Sequence, residues 1–220
     1  MTSWTKPTAE QVDKALALLT QPQLYRRFFE GLKNPEWIVP LRDRKFFAAP
    51  PAAERNEERG TIGFRAWPES EYLIRMAPLA PNEVCEAIVA IPATDNYRVH
   101  EDCVDAALGL PPECAAKIAE KEIARLGAQE RLFVLFPEKL GQLAVHLAGG
   151  GQADMALRLV AALLEVRAKG AEGEKTDELR ERKLTARYDV WHYRDVLKKH
   201  VPNLATKLGL PLLKVLCDIL

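Results

Sequence analysis

The sequence predicts an all-α protein built as an α-solenoid of stacked helical hairpins. Three observations carry that prediction. Apolar residues recur at helical spacing in short runs along most of the 220 residues. Proline, glycine or a capping side chain opens and closes nearly every run. No segment shows convincing strand alternation. Each apolar stripe is too wide to leave in water, and a helix that short does not stand alone. The helices must therefore stack on their neighbours. An irregular helical bundle is the alternative packing of the same elements.

Residues 1–47 hold the N-terminal helices. The first is expected over Ala9–Leu19, with Thr8 as N-cap and Gln11 completing a capping box. A second follows over Gln23–Lys33, and Pro35 opens a short third carrying Trp37, Ile38 and Leu41. Residues 48–70, with Pro50-Pro51, a charged run and Gly60, read as a long irregular loop whose Phe64 and Trp67 pack back on the helices. Residues 71–168 form the repeat region. Helices are expected over Glu71–Leu79 behind Ser70, Asn82–Ile91, Asn96–Leu108 behind Asp95, from Pro111-Pro112 to Leu126, from Pro137 to Ala148, and over Gln152–Arg167. Leu132–Phe136 is an ambiguous apolar run that helical neighbours pull toward helix, and Gly149–Gly151 is a turn. Residues 169–183 are charged, lack apolar periodicity and read as an exposed linker. Residues 184–220 resume as helices over Leu184–Val201, with Tyr188, Trp191 and Val196 inward, then Leu204–Leu208 and Leu212–Leu220.

Lysine plus arginine and aspartate plus glutamate number 31 each, so the formal charge is zero, which argues against a whole-surface footprint for nucleic acid and leaves room for a local basic face. No uncharged apolar stretch reaches the roughly eighteen residues of a membrane span, and Met1–Pro7 lacks a signal-peptide core. A cytoplasmic location without membrane contact is expected. Cys85, Cys103, Cys114 and Cys217 form no CxxC pattern and read as small reduced core residues.

Certain residues carry a family resemblance. Leu32-Lys33-Asn34-Pro35-Glu36-Trp37, Pro40-Leu41, Phe46-Phe47, the run Trp67-Pro68-Glu69-Ser70-Glu71-Tyr72-Leu73, and Thr94-Asp95-Asn96 with Val99-His100-Glu101-Asp102 resemble the N-terminal region of large, mostly uncharacterised bacterial proteins. The resemblance covers about residues 1–167 and implies a HEAT- or TPR-like helical-repeat front end to a longer polypeptide, in a group some of whose members act in phage defence. No strict repeat of the tetratricopeptide length recurs. Leu210–Leu220, an apolar helix without a stop signal, suits the same expectation of continuation.

No chemistry-bearing constellation completes itself. His100 and Cys103 lie three apart on a helix, but zinc needs three or four ligands and no second pair has the spacing. The serines, Ser3 and Ser70, sit in no nucleophile elbow, and Ser70 reads as an N-cap. His100, His146, His192 and His200 are scattered, with His146 on an apolar helix as a core histidine. Gly149-Gly150-Gly151 precedes a helix, but no strand precedes it and no GK[ST] follows. No catalytic residue, metal or cofactor is expected.

Two binding readings remain. The first is a non-catalytic scaffold whose stacked helices receive a partner protein or downstream domains of the same polypeptide. The second is a HEAT-like nucleic-acid-binding domain. Its candidate contacts are Arg26, Arg27, Arg194, Lys198 and Lys199, with Arg42, Arg44 and Lys45 nearby in sequence and Tyr25, Trp191 and Tyr193 available to stack on bases. Interleaved acids such as Glu30, Asp43, Asp189 and Asp195 favour a solvated helix surface instead.

Overall fold

The structure is a computed structural model that describes residues 5–128, 136–168, 184–186 and 190–219. The expected linker at residues 169–183, Tyr188, and Leu132–Leu135 lie outside the described residues. The chain is mostly helical, and the described part divides into two compact units, Met1–Ile118 and Ala119–Leu220.

The first unit opens with α1 (Ala9–Ala17), α2 (Pro22–Gly31) and α3 (Ile38–Asp43). Thr8 caps α1 as expected. Its hydroxyl accepts from the Gln11 N–H at 3.2 Å while the Gln11 side chain accepts from the Thr8 N–H at 2.9 Å. Proline stands in the first turn of α2, α4 (Pro68–Met76) and α5 (Pro81–Ala90), where its missing N–H would lack an intrahelical partner anyway. Helix α6 (Tyr97–Leu108) follows, and α7 (Pro112–Ala128) begins in this unit and ends in the second. α2 packs on α4, α4 on α6, and α3 on α5. An aromatic cluster fills the space between them. Phe29 is fully buried, with the rings of Tyr25 at 5.1 Å, Phe28 at 5.2 Å and Tyr72 at 6.1 Å. Phe28 in turn meets Trp37 edge-on at 5.5 Å, a geometry aromatic quadrupoles favour.

Residues 48–70 depart from the irregular loop expected of them. A short antiparallel hairpin, β1 (Glu54–Asn56) and β2 (Thr61–Gly63), pairs Arg55 with Ile62, and Gly60 takes the positive φ of its turn. The hairpin is exposed throughout, so no inward face leaves an alternating pattern in the sequence. Its base is tied down. Asp95 accepts from the Ala53 N–H at 2.7 Å and pairs with Arg55 at 3.1 Å, and the Thr94 hydroxyl donates to the Pro51 carbonyl at 2.9 Å. The second half packs back as expected, with Trp67 buried and Phe64 5.5 Å from Tyr97.

Two caps move for related reasons. Asp95 is occupied by the hairpin, so Asn96 caps α6 and accepts from the Arg98 N–H at 3.0 Å. Ser70 lies inside the first turn of α4, which Pro68 starts earlier. Its hydroxyl donates to the Trp67 carbonyl and to Asp102 Oδ2 at 2.6 Å, tying α4 to α6.

In the second unit α8 (Phe136–Gly149) packs on α9 (Ala153–Leu164), α10 (Val190–Lys199) and α11 (Val201–Leu208), and α12 (Leu210–Ile219) packs on α9 and α11. The glycine turn between α8 and α9 has the expected role, with Gly151 at φ +83°. The helix expected to reach Arg167 ends at Leu164, and β3 (Val166–Ala168) pairs antiparallel with β4 (Leu184–Ala186), where the start of a helix was expected. Three-residue strands at both ends of a charged segment are too short to register as a periodicity. The helix expected to reach Val201 ends at Lys199, and Pro202 stands in the first turn of α11. His200 is buried where α10 meets α11, and its ring lies against Gly141 of α8.

Candidate functional site

α12 is apolar along its whole length apart from Lys214 and Asp218, and α9 and α11 bury only part of it. Leu212 is 1% exposed, whereas Leu210 is 78% and Leu213 56% exposed. Cys217 is exposed as well, a departure from the core position expected of it. Positions 210, 213 and 217 follow i, i+3, i+7 spacing and share one helix face. Lys214 and Asp218, both exposed, flank that stripe. Gly209, at φ +57°, turns the chain from α11 into α12 and donates its N–H to the Ala205 carbonyl at 3.0 Å. Leu204, Leu208 and Leu212 are buried on the inner side of the α11–α12 pair, which holds the outer stripe in place.

The basic residues expected to meet nucleic acid lie in both units, and Arg26, Arg42, Arg44 and Lys199 already hold carboxylates. Arg26 bonds Glu30 at 2.7 Å along α2. Lys199 meets Glu138 at 3.2 Å and Asp195 at 3.5 Å, and the bond to Glu138 raises its ammonium pKa above the usual range. Arg44 joins α1 to α3, bonding Asp13 at 2.7 Å and the carbonyls of Pro40 and Ala9. That bond holds the Asp13 carboxyl below the ordinary carboxylate range. Arg42 pairs with Glu86. Arg27, Arg194 and Lys198 are exposed. Tyr25 does not present its hydroxyl outward but donates it to Glu69.

His100 is buried, with its Nε2 3.0 Å from the Thr94 carbonyl, and Cys103 is buried one turn along the helix. Among the described residues no group of three or more histidines, cysteines and acids is placed to hold a metal. A cleft of about 350 Å3 at the start of α5 is walled by Pro35, Val39, Leu79 and Pro81 and rimmed by Lys6, Glu36 and Glu83. Its lining carries charge but no serine, threonine, cysteine or histidine.

Sequence reasoning missed the buried acids. Glu69 is 4% exposed, and burial pushes its pKa up. Its Oε1 accepts from the Tyr25 hydroxyl while Oε2 has no hydrogen-bond partner. Asp102 is 1% exposed, held by Ser70 and by Arg98 at 3.2 Å. These acids tie α2, α4 and α6 together. Glu69 and Asp102 occupy ordinary-looking polar positions, and nothing in their spacing marks them as interior.

His200 is the buried base of the second unit. Burial lowers its pKa below the usual histidine value, opposed by the Glu138 carboxylate and reinforced by the Lys199 ammonium. A base whose folded pKa is depressed contributes stability above its unfolded pKa and loses it as pH falls. Unfolding of the second unit is therefore expected at lower denaturant as pH drops from 7 through about 6.5 toward the depressed value. His200→Gln should flatten that dependence. An unchanged slope in urea titrations at several pH values would remove His200 as its source.

Comparison with known proteins finds no matching family model, no matching curated protein and no matching solved structure. No helix among the described residues is long and apolar enough to cross a membrane.

Proposed function

We propose that the chain is a non-catalytic, helical-repeat interaction module that binds a protein partner, on a separate chain or on the same polypeptide, through the outer face of α12. The observation that carries this reading is the exposed pair Leu210 and Leu213 on a helix whose opposite face is buried. A contiguous apolar surface on a packed helix marks a protein contact more often than an isolated exposed leucine does, and i, i+3, i+7 anchors suit a helix laid against it. The order α2–α4–α6 with α3–α5 alongside supports a repeat arrangement in the first unit. With the resemblance noted above, it also supports a role within a large bacterial protein, in phage defence among other settings, working in the cytoplasm.

Nucleic-acid binding is the second reading, and carboxylates already engage Arg26 and Lys199. A photo-crosslinker placed at position 217 in the native source cell tests the first reading. Wild-type surface residues should yield a discrete protein adduct, and Leu210→Glu with Leu213→Glu should reduce it at least tenfold while leaving the helical circular dichroism intact. Equal yields from both would sink the α12 reading. Tight duplex binding that weakens steeply with salt and is lost on changing Arg26 and Arg27, or Lys198 and Lys199, would replace it with the second.

A further inference from the structure

Two thiols of the first unit meet between helices that lie far apart in sequence. Cys85 is in the middle of α5 and Cys114 in the first turn of α7, 29 residues later. The Cys85 Sγ lies 3.7 Å from the Cys114 carbonyl oxygen, and the neighbouring Cys114 thiol helps to raise the Cys85 pKa. Both are buried, Cys85 at 3% exposure and Cys114 at 9%. We propose that Cys85 and Cys114 form an oxidisable dithiol, which a low-molecular-weight disulfide such as glutathione disulfide converts to an intramolecular disulfide linking α5 to α7.

The chemistry assigns an order to the pair. Burial, together with the adjacent Cys114 thiol, pushes the Cys85 thiol up to about 11, so at neutral pH it is protonated and a poor first nucleophile. Cys114 is the more exposed and lies in the first turn of its helix, the end that opens most readily. Its thiolate attacks one sulfur of glutathione disulfide, forming the protein–glutathione bond and releasing one glutathione thiolate. That step removes the Cys114 thiol whose hydrogen bond and charge raised Cys85. Lys117, one helical turn beyond Cys114, then favours the Cys85 thiolate, which attacks the Cys114 sulfur and expels the second glutathione. Two protein thiols are oxidised, one glutathione disulfide is reduced to two glutathiones, and the two protons leave with them. Cys103, buried on α6, takes no part.

The test uses the full chain carrying Cys217→Ser, which removes the exposed thiol and leaves three of the four free cysteines. The native protein is incubated with glutathione disulfide, quenched in acid, alkylated in denaturant and mapped by mass spectrometry. The free-thiol count should fall from three to one, with a Cys85–Cys114 cross-linked peptide and Cys103 alkylated. Cys85→Ser and Cys85→Ala should each leave Cys114 as a stable glutathione adduct, and Cys114→Ser should leave Cys85 unmodified. A count that stays at three, a bridge that includes Cys103, or a bridge that forms only when denaturant is present would overturn the proposal.

Discussion

Replacing Arg125 with alanine is expected to cost about 3–5 kcal/mol, the characteristic penalty for stripping one partner from a buried ion pair. Arg125 Nε bonds Glu122 Oε2 at 2.8 Å within α7, and the two side chains are 12% and 1% exposed. The guanidinium also lies over the Phe136 ring, 4.7 Å from its centroid. The variant thus loses a desolvated cation–π contact worth about 2 kcal/mol and leaves the Glu122 carboxylate buried without that cation. Glu122→Gln in the Arg125→Met background should recover part of the loss, because a buried amide pays far less desolvation than a buried carboxylate. Urea unfolding followed by far-ultraviolet circular dichroism reads both values. A loss below about 1 kcal/mol for Arg125→Ala would mean that the pair is solvated, as surface pairs are.

Gly141→Ala should destabilise the second unit, against the usual gain of placing alanine in a helix. A methyl group at position 141 would overlap His200 Cδ2 and lie 2.8 Å from Cγ and 3.1 Å from Nε2. An imidazole ring held at a buried helix junction has little room to retreat, and overpacking of this kind costs about 1–3 kcal/mol. Helix propensity returns about 1 kcal/mol in the opposite direction, so the net loss is expected at up to about 2 kcal/mol. In a His200→Ala background the steric cost disappears and the propensity gain remains, so the same substitution should become stabilising by up to about 1 kcal/mol. This change of sign across a double-mutant cycle separates the close approach from any general effect of the methyl group. Equal effects in both backgrounds would dissociate Gly141 from His200.

The helices were legible because their ends are chemically marked. Thr8 and Gln11 announce α1, and Pro22, Pro68 and Pro81 stand in the first turns of the helices they open. Boundaries slipped where two residues competed for one role. Ser70 has the side chain of an N-cap, but Pro68 starts the helix earlier and the hydroxyl goes to Asp102. Asp95 would cap as well as Asn96 does, but the hairpin takes it first. Both are long-range contacts, and local pattern carries no trace of them. The strands were invisible because each is only three residues long, and β1 and β2 are exposed and so have no inward face.

The candidate site was half legible. Spacing places Leu210, Leu213 and Cys217 on one face of α12, but only the packing of α9 and α11 against the opposite face determines which stripe stays bare. The basic residues were found in sequence, yet the carboxylates that engage Arg26, Arg44 and Lys199 depend partly on helices brought together by folding.

The exposed hairpin at Glu54–Gly63 has an evolutionary consequence. Its anchors, Asp95 and Thr94, grip residues at and before β1, so the tip from Glu57 to Gly60 bears none of the core. Loop-closure entropy grows only logarithmically with loop length, and each doubling adds about 0.6 kcal/mol. Insertions and deletions arising at that tip therefore meet little selection from folding, and among descendants of this gene chain length should drift there first.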